Sequence, residues 1–160
     1  MNQIVSKLSV RLIFKQLKVS TVESCTGGWI GKTLTDLSGS SDWFAGGLIT
    51  YTNESKHQLA DVPVELIEKH GAVSLEVAEA MAMGAQKHFA GTVSVAVSGV
   101  AGPGGGSEEK PVGTVCIATC ISNKTNVRKF LFEGDRDSVR KQTVEQALEM
   151  VLDAVERFQK

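Results

Sequence analysis

The sequence predicts a layered α/β/α fold with a mixed, mostly parallel central sheet, organised as a single domain over residues 1–160. Three observations carry this expectation. Short β-branched stretches alternate with segments of helical periodicity, the signature of strands covered by helices. The stretch "TVSVAVSG" sets Val93, Val95 and Val97 against small residues, which suits a central strand with a helix layer on each face. A chain of 160 residues with 42% hydrophobic and 22% charged side chains can close one full core.

In chain order, Ile4, Leu8 and Leu12 recur at helical spacing, with Val5, Ile13 and Leu17 widening the stripe, so residues 4–17 read as an amphipathic helix. "VSTVE" follows as a β segment, and the Gly27-Gly28 turn opens "WIGKTLTDL" as a second helix. "GSSDWFAGG" has loop composition, whereas "LITYT" is β-branched and aromatic enough for a strand ending at Tyr51. Asn53 is placed to cap a short helix, and Pro63 to occupy the first turn of the next.

Ser74 caps a longer helix whose buried stripe is Val77, Met81, Ala85 and Phe89, with Glu76 and Glu79 toward its positive end. After Gly91 comes the central strand, then two further strands, "GTVCIATC" and "VRKFLFE". From Asp135 a final helix carries Val144, Leu148, Val151 and Val155 on one face.

The formal charge of −1 gives no general field for DNA or an acidic membrane, so neither nucleic acid nor membrane is an expected partner. No apolar run approaches the roughly 20 residues that span a bilayer. Lys7, Arg11 and Lys15 interrupt the apolar pattern of the N-terminus, unlike a signal peptide. Three cysteines, an odd number, fit a cytoplasmic protein better than a disulfide scaffold. Cys116 and Cys120 would stand about 13 Å apart on an extended strand, too far to bridge. No metal site and no cofactor is expected, since no Cys/His spacing resembles a zinc motif.

Four segments can carry chemistry. In "VESCTGGWIGK", Ser24 stands at the carboxyl end of a strand and before a helix, where open α/β sheets receive ligands. It reads either as a nucleophile or as part of a helix cap, and the backbone N–H groups from Thr26 through Gly27 and Gly28 are placed for an oxyanion. In "TYTNESK", Lys56 lies in the first turn of a helix, where the dipole disfavours its charged form. It is a general base or a solvated surface lysine.

The glycine-rich stretch "SGVAGPGGGSEEKPVGT" follows a strand directly and either cradles a phosphate or forms a mobile connector. Its "SEEK" mimics a Ser-x-x-Lys dyad, but Pro111 opposes the helix such a dyad needs. In "GDRDSVR", Arg136 and Arg140 share one helix side and can grip a phosphate or make surface ion pairs. Cys25 with His57 is a thiol alternative. Neighbouring residues of an extended segment face opposite ways, which separates Cys25 from Ser24.

Taken together, "ESCTGG", "TYTNESK", "HGAVS", "SGVAGPGGGSEEKPVGTV" and "GDRDSVR" resemble, in order and spacing, the C-terminal domain of competence-damage-inducible protein A and its stand-alone relatives, the nicotinamide-nucleotide amidases. The resemblance covers nearly the whole chain. It implies hydrolysis of the carboxamide of nicotinamide mononucleotide to nicotinate mononucleotide and ammonia, in pyridine-nucleotide recycling.

By the same resemblance, Ser24 is the nucleophile, Lys56 the general base and Tyr51 an assisting hydroxyl. Ser98 keeps a hydroxyl where relatives carry Thr. The implied substrate-binding set is Thr26, Gly27, Gly28, Ser98, Gly99, Gly102, Gly105, Arg136 and Arg140. Arg140 is the first choice for the substrate phosphate, with Arg136 as its rival. The expected partner is a small nucleotide substrate, and the expected assembly a homo-oligomer, with a dimer the commonest form. A non-catalytic nucleotide-binding module, or an amidase for another small amide, are the competing readings.

Overall fold

The structure, a computed structural model, describes residues 1–90 and 92–159; Gly91, expected to precede the central strand, lies outside them. Its elements are α1 (Asn2–Lys15), β1 (Lys18–Glu23), α2 (Trp29–Thr35), a 3-10 turn (Ser40–Asp42), β2 (Phe44–Ile49), α3 (Asn53–Ala60), α4 (Val64–His70), α5 (Leu75–His88), β3 (Thr92–Gly99), β4 (Thr114–Ile121), β5 (Lys124–Leu131) and α6 (Arg136–Arg157). The five strands form one sheet in the order β2-β1-β3-β4-β5. β2, β1 and β3 are parallel, and β4 pairs antiparallel with both β3 and β5, so β4 alone runs against the others.

The sheet divides the core in two. On one face Val93, Val95 and Val97 meet Leu8 and Leu12 of α1, Ile30 and Leu34 of α2, and Val144, Leu148 and Val151 of α6. On the other face Ala96, Cys116, Ala118 and Cys120 meet Val77, Met81 and Ala85 of α5, with Ala60 of α3 and Ile67 of α4 in the same cluster. The small side chains on this second face let α5 lie close. Ser94 and Ser98, also on that face, donate to the carbonyls of Ala82 and Ala72 at 2.7 Å each, so neither buried hydroxyl is left unpaired.

Several boundaries differ from the sequence reading. β2 begins at Phe44 and ends at Ile49, absorbing Gly46 and Gly47, and Tyr51 lies beyond it. The glycines look like loop, but a Cβ at Gly47 would lie 2.2 Å from Thr21 Oγ1, so only glycine fits the strand there. Thr52, not Asn53, caps α3: its Oγ1 accepts from the Ser55 N–H at 3.1 Å while Ser55 Oγ accepts from the Thr52 N–H at 3.0 Å. Ile13 is exposed, because the buried face of α1 runs through Val5, Leu8 and Leu12. β5 begins at Lys124, joined to β4 by a tight hairpin with Ser122 and Asn123 at φ 49° and 61°.

Candidate active site

Two parallel strands and one helix start bring the reacting groups together. Ser24 sits one residue beyond β1, and its N–H donates to Val97 O of β3 at 3.1 Å, which keeps the segment tied to the sheet. Glu23 C=O accepts from the Thr50 N–H at 2.8 Å, so the end of β2 is fixed beside it. The capped start of α3 then carries Lys56 back over the same strand ends. Lys56 Nζ lies 3.0 Å from Ser24 Oγ and 2.9 Å from Thr50 O.

Lys56 is only 1% exposed, which disposes of the solvated-lysine alternative. Burial holds its pKa below the ordinary lysine value of 10.5, because the charged form is the one that loses hydration. Desolvation, more than the helix dipole named in the sequence reading, is the cause. A Cys25 thiolate would oppose this shift, yet burial pushes the Cys25 thiol up to about 11, so at neutral pH it carries no charge. Cys25 packs into the core on the α6 side. His57 Nδ1 pairs with Val62 O at 2.9 Å, and the Cys25–His57 dyad is not formed.

Of the three N–H groups the sequence offers for an oxyanion, those of Thr26, Gly27 and Gly28, two are already engaged. Gly27 N–H donates to Ser24 O at 3.0 Å, and Gly28 N–H donates to the carboxylate of Glu23 at 3.0 Å. Neither is free for an oxyanion. The N–H groups of Cys25 and Thr26 have no hydrogen-bond partner among the described residues. Glu23 escaped the sequence reading. Its signal was a lone acid closing a strand of apolar and hydroxyl residues just before a glycine turn.

Arg140 donates through Nε to Cys25 O and through Nη2 to Thr26 O, both at 3.1 Å, and its guanidinium lies 5.2 Å from the Trp29 ring centre. It therefore grips the nucleophile segment itself. Arg136 donates to Gly102 O at 2.8 Å and to the Tyr51 hydroxyl at 2.9 Å, joining α6, the glycine-rich loop and the β2–α3 connection at the exposed rim. Tyr51 is more than half exposed, and its hydroxyl accepts from Arg136.

In the loop, Gly102 (φ 82°) is required because a Cβ would lie 2.5 Å from Val112. Gly99 is required by contact with Val115, 2.7 Å from an added Cβ, and Gly105, also at φ 82°, is exposed. Lys110 Nζ donates to His70 O at 2.7 Å, so "SEEK" is a local turn and not a dyad. Among the described residues no group of three His, Cys, Asp or Glu side chains could hold a metal ion.

The sequence profile of the CinA C-terminal domain matches residues 1–155. The chain belongs to that family. Among its relatives, nicotinamide-nucleotide amidohydrolase PncC of Escherichia coli (strain K12) is 50% identical over 132 residues, 82% of this chain and 80% of that protein. A CinA-like protein of Geotalea daltonii is 54% identical over 122 residues, 76% of this chain but 30% of that longer protein.

Two solved structures show the CinA fold at full length. Competence damage-inducible protein A from Klebsiella pneumoniae subsp. pneumoniae MGH 78578 superposes with a TM-score of 0.94 at 29% identity, covering 98% of each chain. The competence/damage inducible protein CihA from Agrobacterium tumefaciens gives 0.88 at 41% identity, covering 96% of each.

Proposed function

We propose that this protein hydrolyses the carboxamide of nicotinamide mononucleotide, releasing ammonia and nicotinate mononucleotide. One observation carries the reading: a buried lysine amine, destabilised as a cation, sits 3.0 Å from a serine hydroxyl at the carboxyl end of a parallel strand pair. The relative named for nicotinamide-nucleotide amidohydrolysis supplies the substrate class.

Neutral Lys56 accepts the Ser24 proton as Ser24 Oγ attacks the amide carbon. Thr50 O holds a second amine hydrogen and so fixes the direction of the lone pair. The tetrahedral oxyanion meets the Thr26 N–H, whose direction is set by Arg140: in a trans peptide that N–H points opposite the Cys25 C=O that Arg140 holds. Lys56 returns its proton to the departing nitrogen, ammonia leaves, and an ester links Ser24 to the nicotinoyl carbon. Water attacks that ester, giving its proton to Lys56 and then to Ser24, and the acid is released.

Arg136, Tyr51 and the exposed part of the glycine loop take the ribose phosphate at the rim, so that remote binding positions the amide. Ser98 orders the wall beneath them through Ala72 O. Among the described residues no helix is long and apolar enough to cross a membrane, and three free buried cysteines accord with a cytoplasmic setting.

The test is ammonia release from nicotinamide mononucleotide by wild type and by Ser24→Ala, with folding checked by circular dichroism. Loss of at least 10²-fold is expected, and undiminished release by a folded variant eliminates the serine mechanism.

A further inference from the structure

The Ser24–Lys56 pair and its oxyanion donor all depend on one neighbour that performs no chemistry. We infer that Glu23 is the positioning residue of this site, holding the nucleophile segment through its carboxylate and the base through its backbone; the kinetic part of this inference rests on the amidohydrolase reading. Glu23 is 1% exposed and no cation pairs with it among the described residues. Four donors satisfy its side chain instead. Oε2 accepts from Thr26 Oγ1 at 2.6 Å and from the N–H groups of Gly28 and Ile30 at 3.0 Å each, and Oε1 accepts from the Gly31 N–H at 2.8 Å.

These contacts do three things. They satisfy the otherwise unpartnered N–H groups at the head of α2 and place an anion at its positive end, so the glycine turn is held at both sides of Ser24. They remove Gly28, Ile30 and Gly31 as oxyanion donors, which leaves that work to the segment between Ser24 and Gly27. They also set the peptide planes there, because Thr26 is held by Glu23 through its hydroxyl and by Arg140 through its carbonyl, from two different elements.

The backbone of the same residue extends the arrangement to the base. Glu23 C=O accepts from Thr50 N–H, and Thr50 C=O accepts from Lys56 Nζ. A shift at Glu23 therefore moves nucleophile, oxyanion donor and base together, while Arg136 at the phosphate end is held separately by Gly102 O. The kinetic signature is a fall in kcat at nearly constant KM.

Glu23→Gln keeps the shape but presents an NH2 where one oxygen accepted. In the folded variant kcat is expected to fall about 10²-fold, with KM within about twofold of wild type. Amide-proton exchange at Gly28, Ile30 and Gly31 is expected to accelerate at least tenfold while the strands stay protected. Wild-type kcat, or a loss carried by KM, overturns the inference.

Should Glu23→Gln fail to fold, Thr26→Val reads the same contact through its isosteric loss of the hydroxyl. It should lower kcat at constant KM, with Thr26→Ser recovering turnover relative to it. Equal kcat in the two overturns the inference. If wild type releases no ammonia, the function proposed above fails separately. The positioning role is then read from labelling of Ser24 by a fluorophosphonate, in which the serine oxygen displaces fluoride from phosphorus. Slower labelling in Glu23→Gln supports it, and equal labelling overturns it.

Discussion

Gly84 of α5 lies directly against the carbonyl of Ala60 at the end of α3, so close that a Cβ on Gly84 would stand 1.8 Å from that oxygen. The obstacle is backbone, which cannot rotate aside. Gly84→Ala must therefore push α3 away from α5 and carry Lys56 with it. Overpacking of this kind costs roughly 1–3 kcal/mol. A lowered denaturation midpoint together with lowered kcat is expected, because Ala60 lies about one turn along α3 from Lys56. Equilibrium unfolding and steady-state kinetics on one preparation check both.

Lys56 should govern the pH dependence of both rate and stability. Its folded pKa lies below 10.5 while the unfolded chain titrates at the ordinary value, so between the two the unfolded state binds more protons. Stability from this group is complete above about 10.5 and is lost as pH falls toward the folded value. Turnover should rise with pH over the limb where Lys56 loses its proton. Lys56→Met should abolish that stability slope and lower kcat/KM by roughly 10²–10⁴-fold. Denaturant midpoints measured across pH for both proteins give the comparison.

The two arginines should separate kinetically. Arg136→Ala removes a donor from the exposed rim and is expected to raise KM for the mononucleotide about tenfold or more, with little change for the dephosphorylated riboside. Arg140→Ala frees the Cys25 and Thr26 carbonyls and should lower kcat for both substrates alike. Kinetics on the nucleotide and riboside side by side decide the assignment.

Cys25 should be inert despite standing next to the nucleophile. With its thiol raised to about 11 and only 6% exposed, it offers almost no thiolate at neutral pH. Iodoacetamide at pH 7 should leave it unlabelled in the folded protein, and labelling should appear on unfolding. Peptide mapping by mass spectrometry reads this directly, and rapid alkylation of the native protein would reopen the thiol route.

Much of this arrangement was legible because it obeys local rules. Val93, Val95 and Val97 announced the central strand, Ser74 and Asp135 cap the helices expected of them, and alternation along the chain separated Cys25 from Ser24 before any coordinates. What stayed hidden depends on distant partners. Gly46 and Gly47 carry loop composition, and only distant side chains, Phe89 against Gly46 and Thr21 across the strand pair from Gly47, explain why glycine stands in this strand. Burial of Lys56 is set by how α3 packs, not by the residues around it in sequence. Glu23 and Arg140 act on backbone groups, which have no letter in the sequence. That is why the sequence offers Gly27 and Gly28 beside Thr26 as oxyanion donors and gives no sign that Arg140 holds the Cys25 and Thr26 carbonyls.

The Ser24 N–H finds its acceptor on Val97, a residue synthesised long after the nucleophile itself. A nascent chain emerging from the ribosome thus exposes the hydroxyl and the amine early but cannot align them until the third strand is out. Catalytic competence arrives late in translation, and fragments truncated ahead of that strand should be inert whatever residues they retain.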